Sequence, residues 1–344
     1  MEKKVVVITG ACGRIGASII RKMGDEYRVV GFELLKALYA SANEELVPVD
    51  LDSDESVVQA FKHIRNFYGN KIEAVIHLAA YYSFSDPNYD NYERITVKGT
   101  ERLLKALSDF EVGQFIFSST MLVHAPSKEK INEQSLVDPK WAYPRSKVAT
   151  EQMIHQLRGR TPVVILRIAG VYDDVCHSIP IAHQIQRIYE KQLEAHLFAG
   201  DIYSGASFLH MDDLVSAILS CIQRQKTLPP ELTLLLGEPT TLSYDTLQRE
   251  ISRLLFNKEM KTFSVPKIIA KIGSFVENHI PFKKPPFIKP WMIDLADDNY
   301  ILDISLAKKH LDWEPKRSLK ATLPMMIEAL KKDPKHWYKI NGLN

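Results

Sequence analysis

The sequence predicts an α/β fold: a doubly wound parallel sheet followed by a smaller carboxy-terminal lobe. Short apolar runs without polar alternation succeed segments of helical periodicity, as strands covered on both faces by crossover helices do. Between the first such run and the first such helix lies Thr9-Gly10-Ala11-Cys12-Gly13-Arg14-Ile15-Gly16, a glycine-rich turn.

Residues 5–8 form the first strand. Ile15, Ile19, Ile20 and Met23 then share a helical face, and Gly24 ends that helix. Residues 28–32 and 46–49 are the next strands, and Asp52 or Ser53 caps a helix carrying Val57, Val58, Phe61 and Ile64. A strand over 74–78, a helix through 97–107, a strand over 115–117, a helix beginning at Tyr143 and a strand over 163–166 complete the rhythm. Beyond about residue 170 prolines, aromatics and longer connections loosen it. Residues 1–170 with about 208–225, where 208–211 leads into a helix from Asp212 to about Arg224, are expected to make the first lobe. The second takes 171–207 and about 226–330, and 331–344 is read as a tail.

The 344 residues are 45% hydrophobic and 25% charged, ordinary for a globular protein. A net charge of +2 offers no basic field, so nucleic acid is not expected as a partner. Cys12, Cys176 and Cys221 are odd in number and lack metal-ligand spacing, which predicts reduced thiols, no metal and a cytoplasmic protein. The charged start and apolar 5–8 run are too short for a secretion signal, and no run approaches the roughly 18 apolar residues of a membrane span.

A strand, a glycine turn and a helix place backbone N–H groups and partial positive charge where a pyrophosphate binds. Gly10 permits the turn, Gly13 lets backbone approach the phosphates and Gly16 lets helix and strand pack closely. Cys12, Arg14 and Ile15 complete the loop. A turn without a ligand is the bland alternative. Glu33 ends the second strand where an acid would take the adenosine ribose hydroxyls, which favours NAD over NADP. Arg14 and Lys36 are cations that would suit NADP. Asp50 and Leu51 close the third strand near the adenine, with helix capping the other reading of Asp50. Leu78, Ala79 and Ala80 are small or apolar residues suited to close passage of the cofactor.

Tyr143 and Lys147 lie four residues apart, on one helical face. An ammonium beside a phenol favours phenolate; lowering a tyrosine pKa by three units takes roughly 4 kcal/mol. With a positively charged nicotinamide in a dry cleft, Tyr143 would move the proton of a substrate hydroxyl while hydride moves to or from the ring. Thr120 would hydrogen-bond the same oxygen, with Ser119 as the fallback and Ser118 before it. Each feature alone is more often turn or helix-surface chemistry.

The glycine turn, the strand ending Ser118-Ser119-Thr120 and Tyr143-Pro144-Arg145-Ser146-Lys147 together resemble the extended short-chain dehydrogenase/reductase family, also called the NAD-dependent epimerase/dehydratase family. Leu166-Arg167, the stretch from Phe208 to Asp213 and the late Asp303, Ala307, Leu311, Trp313 and Pro315 extend the likeness over nearly the whole chain. It implies a Rossmann lobe, a carboxy-terminal substrate lobe, and a tyrosine, lysine and serine-or-threonine set acting with NAD(P). It also implies a homodimer built from the helix after Ser83 and the helix carrying Tyr143.

Departures narrow the function. The family's 4,6-dehydratases place Asp-Glu after the catalytic threonine; Met121-Leu122 cannot transfer protons. Nucleotide-sugar epimerases commonly hold the substrate's phosphates with an arginine where Ala206 stands and carry asparagine where Gly170 stands. His124-Ala125 replace the usual Tyr-Gly. An apolar and basic stretch runs through Ile268, Ile269, Ile272, Phe275, Val276, Ile280, Phe282, Phe287 and Trp291, with Lys267, Lys271, Lys283, Lys284 and Lys289 interspersed. It is read either as a helix packed on its own lobe with a solvated lysine face or as a mouth for an apolar substrate at a membrane surface. The latter would resemble the hydroxysteroid-dehydrogenase and flavonoid-reductase branches. The first expectation is an oxidoreductase interconverting a secondary alcohol and a ketone on a small non-nucleotide molecule. The alternatives are a nucleotide-sugar epimerase and a non-catalytic NAD(P)-binding sensor.

Overall fold

The structure, a computed structural model, describes residues 3–34, 45–83, 88–278 and 289–343. Lys36, Ile280, Phe282, Lys283, Lys284, Phe287 and the side chain of Val276 lie outside the described residues.

Seven parallel strands form the central sheet: β1 (Lys4–Thr9), β2 (Tyr27–Glu33), β3 (Glu45–Pro48), β5 (Ala74–His77), β7 (Phe115–Thr120), β8 (Val163–Ile168) and β12 (Glu231–Leu236), in the order β12-β8-β7-β5-β1-β2-β3. Successive residues Val6, Val7 and Ile8 are all fully buried, which explains the missing polar alternation. Side chains from α1 (Arg14–Lys22) and α6 (Met211–Arg224) pack on one face of the sheet. Those of α2 (Asp54–Tyr68), α3 (Lys98–Leu107) and α4 (Ala142–Leu157) pack on the other. β1 has β2 on one side and β5 on the other, so the winding reverses there and opens a crevice at the strands' carboxy ends.

Local details differ from expectation for physical reasons. Ser53, not Asp52, caps α2, its Oγ accepting from the Ser56 N–H at 3.2 Å. A π-helical stretch, Tyr92–Val97, precedes α3. β7 continues to Thr120 because Ser118, Ser119 and Thr120 pair with Leu166, Arg167 and Ile168.

Residues 231–236, expected in the second lobe, instead join the central sheet beside β8. Short parallel pairs join β4 (Lys71–Ile72) to β6 (Glu111–Val112), β9 (Gly170–Tyr172) to β11 (Phe208–His210), and β10 (Leu197–Ala199) to β13 (Phe263–Val265). A separate apolar cluster draws on α5 (Ile179–Tyr189), α7 (Tyr244–Phe256), α11 (Leu319–Lys332) and α12 (Pro334–Ile340). Within the segment read as a tail, α12 packs into this cluster, and its Trp337 is 1% exposed. α10 (Ser305–Leu311) packs Ala307 and Leu311 onto the core beneath the central sheet.

α8 (Lys267–Asn278) reverses the expected lysine face. Ile268, Ile269, Ile272 and Phe275 point outward, while Lys267 and Lys271 pair with Asp297 and with Asp294 of α9 (Pro290–Asp294). No helix among the described residues is long and apolar enough to cross a membrane.

Candidate active site

A cleft of about 530 Å³ opens at the winding reversal. Gly10, Gly13, Arg14, Ile15, Gly16, Glu33, Asp50, Leu51, Leu78, Ala79 and Ala80 line it, and Cys12 is not among its walls. Gly10 has φ +72°, and a Cβ there would stand 3.1 Å from the Ala79 nitrogen. A Cβ on Gly16 would lie 2.5 Å from the Gly10 carbonyl oxygen. Among the described residues no side chain caps α1, whose N-cap is Gly13, and an exposed helix amino terminus suits an anion. These features fit a dinucleotide pyrophosphate.

Glu33 is held at the mouth. Its Oε2 accepts from the Cys12 N–H at 3.0 Å and its Oε1 from the Leu34 N–H at 2.9 Å, tying the turn to the end of β2. Asp50 Oδ1 accepts from the Asp52 N–H at 2.9 Å, a local turn just before the Ser53 cap. Beneath the cleft, Thr9 Oγ1 contacts His77 Nδ1 at 2.6 Å, and His77 Nε2 contacts Thr100 Oγ1 at 2.8 Å. Burial, with nearby Lys147 adding to it, pushes His77 down to about 3, so the ring is neutral. This buried relay was not anticipated; only Thr9, at the head of the glycine motif, hinted at it.

Thr120, Tyr143 and Lys147 are not walls of that cleft. Tyr82 connects the two regions: it lines the cleft and stacks edge-on against Tyr143, with ring centroids 4.8 Å apart. Lys147 is 2% exposed. Its Nζ donates to the Ser118 carbonyl at 2.6 Å and lies 5.7 Å from the Tyr143 ring centre. Burial brings its pKa down to about 7, opposed by Glu151. The expected phenol shift is reversed: burial, then Tyr92, pushes Tyr143 up rather than down. In the protein alone desolvation outweighs the ammonium, because Lys147 is itself desolvated and turned toward the strand. Thr120 Oγ1 accepts from the Leu122 N–H at 3.3 Å.

The fallback Ser119 is engaged elsewhere. Its hydroxyl donates to buried Glu151, one turn beyond Lys147 on α4. Arg167 completes that network, donating to Glu151 through Nε at 3.2 Å and Nη2 at 2.6 Å. The pair locks α4 to β7 and β8 and so fixes where Tyr143 and Lys147 stand. Ser118 Oγ donates to the His77 carbonyl at 3.1 Å.

Beyond Tyr143 the site is aromatic. Trp141 stands 5.5 Å from Tyr143 and 5.6 Å from Trp291, centre to centre. A Cβ on Gly170 would meet the Phe208 ring at 2.8 Å, and Ala206 forms a β-bridge with Tyr300. Val171, Tyr172, His177 and Met211 also line the cleft. They come from segments that meet only in the folded chain; Met211 lies in the Phe208–Asp213 stretch already noted, while Val171, Tyr172 and His177 were not marked by any spacing.

The profile of the NAD dependent epimerase/dehydratase family matches residues 6–237. The chain belongs to that family. It is 25% identical to UDP-glucuronate 4-epimerase of Thermodesulfobacterium geofontis, covering 95% of this chain and 96% of that one. UDP-glucose 4-epimerase of Thermotoga maritima superposes with a TM-score of 0.71 at 21% identity, over 96% of this chain and 100% of that chain. UDP-glucuronic acid 4-epimerase of Bacillus cereus, solved with UDP-glucuronic acid and NAD, gives 0.70 at 19%, over 95% and 99%. As a member of the NAD dependent epimerase/dehydratase family, the protein is an oxidoreductase-type enzyme of the extended short-chain dehydrogenase/reductase class with NAD as its cofactor.

Proposed function

We propose that this epimerase/dehydratase-family enzyme oxidises a secondary hydroxyl of a nucleotide sugar and reduces the ketone from the opposite face, inverting one stereocentre. The relatives named above support this choice over the non-nucleotide substrate first expected. The observation that carries it is Tyr143 and Lys147 on one face of α4, joined through Tyr82 to a cleft built for a dinucleotide. When bound, NAD supplies the hydride acceptor and donor. Thr120 orients the substrate oxygen and Tyr143 receives its proton. Lys147, with Nζ 5.7 Å from the Tyr143 ring centre, would hold positive charge near the phenol and favour the phenolate that takes the proton. Met121-Leu122 after Thr120 cannot transfer protons, which favours inversion over elimination of water.

A second reading retains a non-nucleotide, apolar alcohol. Ala206 in place of a phosphate-binding arginine, and the Phe208 ring over Gly170, favour it. UDP-glucose and UDP-glucuronate should bind at micromolar concentration and be converted to their 4-epimers without net NADH. No binding, or stoichiometric NADH, selects the second reading. Tyr143→Phe should abolish turnover on whichever substrate is found while keeping NAD affinity; undiminished turnover would refute the catalytic assignment. We also propose a homodimer through α4 and the helical segment ending in α3; a monomer by light scattering rejects it.

A further inference from the structure

The connection from β9 to α5 holds two non-glycine residues in left-handed backbone, Cys176 at φ 91° and His177 at φ 45°. Such conformations persist only where the surroundings impose them, and they gather at binding sites. Here the imposition is visible. Asp173 and Cys176 exchange both backbone hydrogen bonds at 3.0 Å, and Asp173 Oδ1 accepts from the Val175 N–H at 3.0 Å. Asn341, just past α12, accepts the His177 N–H at 2.7 Å and donates to the Val175 carbonyl at 3.1 Å. A residue 164 positions away thus sets the loop.

The loop presents an imidazole to the cofactor cleft, whose walls also include Gly13 and Arg14 at the α1 amino terminus. His177 Nδ1 bonds Asp173 Oδ2 at 2.5 Å. Its Nε2 has no protein partner among the described residues. Asp173's carboxyl lies below its usual range: burial raises it, but His177, the Val175 N–H and Arg14 together lower it more. With Nδ1 held by Asp173, Nε2 is the ring nitrogen left to meet a ligand in the cleft, and toward an anion it would serve as the donor.

We propose that His177 is a cofactor-contact residue: Nε2 donates to the pyrophosphate of the bound dinucleotide, Asp173 orients the ring, and Asn341 positions the loop from the carboxy-terminal segment. The assignment rests on NAD occupying the cleft and is independent of the substrate.

The test measures equilibrium binding of NAD, ADP-ribose and adenosine to full-length His177→Ala, His177→Gln and Asn341→Ala, with melting temperatures alongside. Loss of one charge-assisted hydrogen bond predicts about tenfold weaker NAD and ADP-ribose binding for His177→Ala. Adenosine affinity should be unchanged, and His177→Gln, which keeps a donor, should recover part of the loss. Asn341→Ala should weaken NAD several-fold although its side chain is not a wall of the cleft. Wild-type affinity of His177→Ala for NAD and ADP-ribose overturns the contact. An equal loss for adenosine also overturns it, since that signals a deformed cleft. His177→Gln as weak as alanine removes the donor role, and an unaltered Asn341→Ala removes the anchor.

Discussion

Gly16→Ala sets two effects against each other. Gly16 lies inside α1, where alanine is favoured over glycine by about 1 kcal/mol. The new Cβ would stand 2.5 Å from the Gly10 oxygen, 2.7 Å from the Ala11 oxygen and 2.9 Å from the Ala11 Cα, all backbone atoms that no rotamer change can clear. Ordinary contact begins at 3.4 Å, so turn and helix must separate by close to 0.9 Å (3.4 − 2.5). Overpacking of this kind costs about 1–3 kcal/mol. Net stability therefore falls by only about 0–2 kcal/mol, the difference of those two terms. Cofactor binding has no such compensation. Moving the turn's N–H groups off an anion by that distance forfeits at least one charge-assisted hydrogen bond, worth about 1.5–3 kcal/mol. The NAD dissociation constant should rise by about ten- to a hundredfold. Calorimetric titration of NAD beside a thermal melt separates the effects: a large affinity loss with a small melting shift. An affinity within about twofold of wild type would refute the geometric account of the turn.

Glu33→Ala should weaken NAD by about tenfold and improve NADP relative to it, because both ribose recognition and the Cys12 tether are lost; an unchanged NAD-to-NADP ratio counts against this role. Arg167→Met leaves the Glu151 carboxyl buried without its guanidinium partner, so urea unfolding should show a loss of about 3–5 kcal/mol, much of it regained in Glu151→Gln/Arg167→Met. Glu238, beside Tyr172 and the Leu319 N–H, is pushed up to about 7 by burial, from 4.5. The folded state therefore binds the extra proton between those values, and Glu238 contributes stability below pH 4.5 that is lost as pH rises through 7. The wild-type unfolding free energy, from urea titrations at each pH, should fall across that window by up to about 3 kcal/mol more than in Glu238→Gln; parallel pH profiles would show that Glu238 does not titrate there.

The parts that could be read from sequence were those where local chemistry and tertiary role coincide. Strands buried on both faces are apolar throughout, so β1, β2, β5 and β8 were evident, and the glycine turn had to lie between β1 and α1. Ser118-Ser119-Thr120 resembles a turn in composition and is strand only because β8 lies beside it. β12 was missed because a run such as Leu232-Thr233-Leu234 does not say which sheet it joins. The apolar and basic composition of 267–291 did not say which side of α8 faces inward, and the Asp294 and Asp297 partners turned its lysines in. The Tyr143–Lys147 spacing gave proximity but not dehydration, which sets the direction of both shifts. His177 came into view only when residues 173–177 and 341 were seen together.

The pairing of β12 with β8 bears on how the gene product tolerates surgery. A chain stopped at residue 170 would leave all of Val163–Ile168 as a bare apolar margin, open to annealing with another molecule. Grafting a foreign specificity module after that point would fail for the same reason unless the graft brought its own return strand. Productive junctions should instead fall in surface connections that leave both neighbours of β8 in place.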